Sequence, residues 1–302
     1  MEQSKPKVSV LLSTYNGHKY LKELVDSILS QEDVQVLLQV RDDGSSDDTI
    51  DILKSYNDER ICITAGTNLK PAKSFLKLLK DCKDSDYYAY CDQDDVWYPN
   101  KLKTAISELE RFNEPALFIS TYDVVNENLE KMFTYDMKFE EELRLQDTLI
   151  YRAPSACNMV FNHKLRNIIN RSNPEFVRMH DFWTLLVAES HSCKIVTCNQ
   201  PLIKYRQHEG EAVGITPGLY TRIKRLYKSF VKGDNERWRQ CKSLYESYKE
   251  DISDEKKEIL KLMVNYRKSV SNKFKLITNS NFKTSSFYID FLFFVAVLFG
   301  KF

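Results

Sequence analysis

Glycine and proline are scarce, eight of each in 302 residues, which excludes collagen-like and low-complexity chains. The seven cysteines are scattered and odd in number. None forms a C-x-x-C pair or joins histidine at zinc-site spacing, so they fit a reducing compartment rather than a disulfide framework or zinc module. The longest apolar run, 291–299, holds nine residues, against the roughly 20 that a spanning helix requires. The opening seven residues are polar, and 8–12 is too short for a secretory signal, so the expected compartment is the cytoplasm. There is no internal repeat. What the chain does have is 42% apolar and 12% aromatic residues, enough for a full core and unlike a disordered chain. Its length suits two domains or one large one.

Net charge is nearly absent, with 44 Lys and Arg against 43 Asp and Glu, but it is unevenly spread. Residues 1–218 carry 26 basic and 34 acidic side chains, and 219–302 carry 18 and 9. An acidic body argues against nucleic acid as a partner and suits a site that holds a divalent cation. The basic tail suits either an anionic membrane surface or a solvated helical face. Its apolar end, 287–299, is too short to span a bilayer. It can lie in a membrane interface with Lys273, Lys275 and Lys283 nearby, or dock on the body or on a second subunit of a homo-oligomer.

Hydrophobic patterning predicts strands at 8–12, 34–40, 61–64 and 87–91, with helices between them carrying Leu24 and Ile28, Leu53 and Tyr56, and 74–79. Strand, loop and helix repeat in this way over the first 110 residues, which implies a mainly parallel sheet flanked by helices. In such sheets ligands bind beyond the carboxyl ends of the strands, so the polar loops at Thr14, Asp43 and Asp94 are expected to meet along one edge. Further strands are expected at 117–121, 158–161, 194–197 and 202–205. Helices are expected at 182–188, from about 220, and at 254–268.

Asp92, Asp94 and Asp95 lie within four residues at a strand end. Carboxylates so close repel one another, and a divalent cation relieves the repulsion. Mg²⁺ typically takes one or two carboxylates plus substrate phosphates, so the cluster points to a metal–diphosphate site. A bare acidic turn is the competing reading, weakened by the two other loops expected to converge here. Asp42 and Asp43 close the second strand. A carboxylate there can accept the N3–H of a uracil or thymine ring, or it can cap the following helix.

Ser13-Thr14-Tyr15-Asn16-Gly17, then Asp42-Asp43-Gly44-Ser45-Ser46-Asp47-Asp48-Thr49, then Asp92-Gln93-Asp94-Asp95-Val96-Trp97 through Leu102 resembles, in order and spacing, the family 2 glycosyltransferases with the GT-A fold. The resemblance covers about residues 7–215. It implies a nucleotide-sugar donor, with Thr14, Tyr15 and Asn16 lining the nucleoside pocket and Asp43 or Asp42 on the base. Asp92 and Asp94 match the D-x-D acids, one on Mg²⁺ or Mn²⁺ and the other on the ribose or sugar. Asp95 and Trp97 are neighbours without a fixed role. The family's general base is an acid about 90 residues further on at a helix start, which Met179-His180-Asp181-Phe182-Trp183 matches. Asp181 is therefore the expected base, with His180 beside it on the acceptor side.

Tyr205-Arg206-Gln207-His208 is similar to a stretch of capsule and O-antigen rhamnosyltransferase-like members, which implies Arg206 on the diphosphate and His208 on the diphosphate or the metal. Ser155-Ala156-Cys157-Asn158 matches the acceptor-side strand region. The Q-x-x-R-W signature of processive synthases is absent, so the expectation is inverting transfer of one sugar, from dTDP-rhamnose or a UDP-hexose, to a glycan or lipid-linked acceptor. A nucleotidyltransferase acting on a sugar phosphate, or a non-catalytic nucleotide-sugar-binding partner, are the alternatives. The implied organisation is a GT-A unit over 1–218, divided into a nucleotide-binding half (1–110) and an acceptor-binding half (111–218), followed by a basic helical region over 219–302.

Overall fold

The computed structural model of the chain describes residues 4–135, 144–151, 156–208 and 235–302. Strand β1 (Lys7–Thr14) is buried through Val8–Leu12 on both faces, as a central parallel strand must be. Its side chains alternate between two cores. Val8, Val10 and Leu12 join one cluster, and Leu11 joins the other. Strands β2 (Gln35–Asp42), β3 (Ile61–Ala65) and β4 (Tyr87–Cys91) extend the parallel set, with β1 between β2 and β4.

Beyond β4 the sheet becomes mixed. It continues through β8 (Met159–Asn162), β6 (Ala116–Val125), β9 (Lys194–Arg206) and β5 (Val96–Trp97), while β7 (Lys131–Tyr135) pairs with β6. Strand β8 runs antiparallel to both β4 and β6, and β6 runs parallel to β9. The two strands expected at 194–197 and 202–205 form one continuous β9. Register shifts against β6 near Ser120 and Thr121 absorb the Asn199–Pro201 interruption.

Helices cover both faces. Helix α1 (His18–Leu29) and α4 (Lys101–Leu109) place Leu21, Leu24, Ile28, Leu102 and Ile106 against one face. On the other lie α3 (Pro71–Asp81), α5 (Leu145–Ile150), α6 (His163–Asn170) and α7 (His180–Ser190). The short α2 (Thr49–Ser55) follows β2.

The C-terminal elements are α8 (Glu236–Tyr248), α9 (Asp254–Asn265), a 3₁₀ turn at Tyr266–Lys268, α10 (Val270–Thr278) and α11 (Phe287–Leu298). Their Cys241, Leu244, Leu260, Met263 and Phe293 join the same cluster as Trp183 of α7 and Leu149 of α5. Tyr248 adds a polar tie, its hydroxyl 3.1 Å from the Ile168 carbonyl. The tail thus continues the hydrophobic core on one face of the sheet. The helix expected from about 220, and the stretch around the 218/219 boundary, lie outside the described residues.

Candidate active site

Three loops leave the carboxyl ends of β1, β2 and β4 and are stitched together by side chains. Gln93 reads the Tyr15 backbone in both directions, its Oε1 accepting from Tyr15 N at 2.9 Å and its Nε2 donating to Tyr15 O at 3.3 Å. Asn16 N donates to Ser45 Oγ, and Asn16 Oδ1 accepts from Ser46 N at 2.8 Å. Gly17 N donates to Thr49 Oγ1. A Cβ at Gly17 would stand 2.5 Å from Gln93 Oε1, so only glycine allows this closure without moving Gln93. The edge expected from strand order is therefore formed, with Tyr15 half exposed on it.

Asp42 and Asp43 are almost fully buried at the end of β2, and every oxygen of the pair has a partner within the protein. Asp42 accepts from the Thr14 hydroxyl at 2.9 Å and from the N–H groups of Gly44 and Ser45. Asp43 accepts from Leu69 N at 3.0 Å and Ser74 Oγ at 2.9 Å, and pairs with the Arg41 guanidinium. Helix capping does not account for the pair, since Asp47 serves α2 through Thr49 N. The pair shapes the loop instead, and Arg41 is the counter-charge that makes burial of Asp43 affordable. Its place directly before the aspartates was the available signal in the sequence.

The acid cluster after β4 is split by depth. Asp94 is partly exposed, and its Oδ2 meets His208 Nε2 at 2.9 Å. Asp95 is fully buried, with its Oδ2 lacking a hydrogen-bond partner among the described residues. Ligand atoms of Asp92, Asp95 and Cys157 lie within 4.8 Å of one another. Burial, together with Asp94 and Asp181, pushes the Asp92 carboxyl up to about 7. Burial and its two acidic neighbours hold Asp95 well above the carboxylate range.

Beneath the cluster lies Lys101, completely buried, donating to the Cys157 carbonyl at 2.6 Å with its ammonium 3.3 Å from the Trp97 ring centre. Burial lowers its pKa to about 8. Trp97 is thus a buried platform for a lysine, not a surface residue of the site. Sequence reading gave no role to Lys101 although it stands inside the motif.

Mutually repelling acids gathered at a strand end fit a hard divalent cation, which takes carboxylate oxygens. Asp92 and Asp94 are the candidate ligands, with Asp95 behind them. Cys157 is a poor one, because a hard cation such as Mg²⁺ or Mn²⁺ prefers oxygen to sulfur.

Asp181 lies in the first turn of α7, 6% exposed, and its Oδ1 accepts from Phe182 N at 2.6 Å. Burial raises it to about 6, opposed by that N–H bond. One turn on, Thr184 of α7 meets the Tyr90 hydroxyl at 2.9 Å, two residues before Asp92, which brings the expected base to the side of the D-x-D loop, and the charge of Asp181 helps to raise Asp92. His180 is placed differently. Its ring is sealed in the core, stacked 3.8 Å from Phe75 and edge-on to Tyr90, with both nitrogens unpartnered among the described residues and its pKa lowered by burial to about 3. It supports α7 from within and does not reach the open site.

Arg206 reaches the site but is committed to protein groups. Its Nε donates to the Asp94 carbonyl at 2.9 Å and its backbone N to Asp95 Oδ1 at 3.3 Å. Its terminal nitrogens meet Glu127 O and Glu23, and its plane covers Tyr20 at 4.3 Å. The sequence expectation put this guanidinium on the diphosphate, whereas the structure uses it to brace the acidic loop. Arg206→Ala is expected to cost about 2 kcal/mol of stability in urea unfolding, the order for losing charge-assisted hydrogen bonds to the Asp94 and Glu127 carbonyls, since its ion-pair partner Glu23 is exposed. A loss under about 0.5 kcal/mol, the scale of an ordinary surface substitution, would show that the brace carries no load. Ser155, and the loop after His208, lie outside the described residues.

A mixed, mainly parallel sheet with acids and a helix-borne carboxylate at its strand ends defines a glycosyltransferase of the GT-A class. The pattern described as Glycosyl transferase family 2 matches residues 9–168, and the chain belongs to that family. The dTDP-rhamnosyl transferase RfbG of Shigella flexneri is 28% identical over 235 residues, covering 71% of this chain and 78% of its own. The Escherichia coli UDP-Glc:alpha-D-GlcNAc-diphosphoundecaprenol beta-1,3-glucosyltransferase WfgD is 24% identical over 222 residues, covering 73% and 83%. Among solved structures, S. aureus TarS in complex with UDP-GlcNAc superposes with a TM-score of 0.55 at 19% identity, over 91% of this chain and 77% of that one. The mannosyltransferase PcManGT from Pyrobaculum calidifontis, in complex with GDP-Man and Mn²⁺, gives 0.55 at 15% identity over 99% and 88%. At such identities the structures speak for the fold alone.

Proposed function

We propose that the protein is a metal-dependent, inverting glycosyltransferase that moves a single sugar from a nucleotide-sugar to a glycan or lipid-linked acceptor in bacterial surface polysaccharide synthesis. The observation that carries this reading is the buried Asp181 at the start of α7, a helix held to the end of β4 by the 2.9 Å bond between the Thr184 and Tyr90 hydroxyls, two residues before the D-x-D acid Asp92. Asp181 takes the proton of an acceptor hydroxyl. The oxygen forms its bond to the anomeric carbon from the side opposite the diphosphate, and the bond between that carbon and the phosphate oxygen breaks with its electron pair leaving on the diphosphate. The carboxylates of Asp92 and Asp94 would hold Mg²⁺ or Mn²⁺, which supplies Lewis acidity to the departing group. Tyr15 and Asn16, with the loop shaped by Asp42 and Asp43, would receive the nucleoside.

The donor is dTDP-rhamnose or a UDP-hexose. The names of RfbG and WfgD support one each. The test is a thermal-shift panel of nucleotide-sugars with Mn²⁺, followed by product analysis. One donor is expected to raise the melting temperature, and chelator to remove the rise. Transfer should release a nucleoside diphosphate. Release of pyrophosphate would instead support nucleotidyl transfer, and binding without product would support a non-catalytic role.

A further inference from the structure

Among the described residues, all the large hydrophobic side chains that are exposed, apart from Tyr15 and Met132, lie between positions 270 and 299. Apart from Asp290 in its first turn, helix α11 is apolar all round. Its Leu292, Phe293, Ala296 and Val297 enter the core, while Phe287, Phe291 and Phe294, spaced four and three apart, stand on the other side. Phe287 is 86% exposed, Phe299 75%, and Phe274 on the adjoining α10 54%. A helix with no polar face needs a non-aqueous neighbour on both sides, and the described residues supply only one.

The charges around this face are nearly all of one sign. Residues 266–302 contain six Lys and Arg and one acid, Asp290. Arg267, Lys268, Lys275, Lys283 and Lys301 are exposed. Asp290 is half buried and spends Oδ1 on the N–H and hydroxyl of Thr284, each at 2.8 Å. A two-fold dimer through this patch would set the basic rim against itself, whereas an anionic bilayer surface matches both the phenyl rings and the lysines.

We propose that the face formed by α10 and α11 is a peripheral membrane anchor that inserts Phe287, Phe291 and Phe294 at the acyl boundary of an anionic phospholipid surface, with the lysines on the headgroups. Helix α11 is 12 residues long, and no described helix is long and apolar enough to cross a membrane, so the contact lies in the plane of the interface. The anchor is part of the same hydrophobic core as the candidate reaction site, Phe293 belonging to the cluster that holds Phe182 and Trp183, the residues that follow Asp181. The inference goes beyond the site chemistry and stands whether or not Asp181 is the base.

The test is co-sedimentation of the full chain with phosphatidylcholine vesicles and with mixed phosphatidylglycerol/phosphatidylcholine vesicles. The wild type is expected to pellet with the mixed vesicles and to be released by salt. Phe287→Ser/Phe291→Ser/Phe294→Ser should lower the partition coefficient at least about tenfold. Lys275→Glu/Lys283→Glu, which leaves the helix face intact, should lower it by a similar factor on anionic vesicles only. The nucleotide-sugar thermal shift of each variant reports whether the body is folded. Wild type that stays in solution, or variants that pellet as it does, would overturn the proposal. So would sedimentation velocity showing a dimer that the phenylalanine variant dissociates, since a second copy would then cover the face.

Discussion

Asp181→Asn is expected to lower the turnover of sugar transfer by about 10³-fold, within the range for loss of a general base, while the donor-induced thermal shift stays at its wild-type value. The asparagine keeps the shape of the side chain and an oxygen that can accept from Phe182 N, so α7 should start as before. It cannot take the acceptor proton. The pH profile separates this role from a structural one. Asp181 is raised to about 6, and a base works only when ionised, so wild-type turnover should fall with unit slope as pH drops through about 6. A bound cation beside it would shift that limb to lower pH.

The stability consequence has the opposite sense. A carboxyl whose folded pKa exceeds its unfolded value binds more protons in the folded state over that interval, so its ionisation destabilises the fold as pH rises through it. Asp181→Asn should therefore be at least as stable as the wild type at neutral pH. Lost turnover with undiminished stability marks a group kept for chemistry. Retained transfer would mean that the base is another residue.

Asp94→Ala is expected to abolish detectable transfer, at least about 10²–10³-fold, together with the Mn²⁺-dependent part of donor binding. Asp94 is partly exposed and bonds His208, itself not fully buried, so its removal should leave the unfolding midpoint nearly unchanged. That distinguishes it from Arg206, whose loss should be felt in stability first. Turnover within tenfold of wild type that is also insensitive to chelator would remove Asp94 as a ligand.

Much of this site was legible in the residues. The Asp92–Asp95 cluster follows a strand that the apolar run at 87–91 announced, and Asp181 opens a helix that its apolar successors announced. What patterning could not show was which carboxylates are free to act. Asp42 and Asp43 resemble the Asp92 cluster in sequence, yet the structure occupies them with Thr14, Ser45, Leu69, Ser74 and Arg41. Arg206 was expected as a ligand group and stands as a brace. His180 and Trp97 sit beside functional positions in the chain but point into the cores. In the tail, the nine-residue apolar run was visible, but its division into a docked face and an open one was not.

Local patterning determined the alternation of strand and helix, the sheet edge at which the polar loops gather, and the acidic character of what gathers there, because side-chain periodicity and turn chemistry act over a few residues. Only the tertiary structure decided which acid is buried against Asp92, which cation sits beneath the cluster, and which phenylalanines of the last helix are left in water. Those outcomes depend on desolvation and on partners tens to hundreds of residues away, and at such separations the distance along the chain does not fix the distance in space.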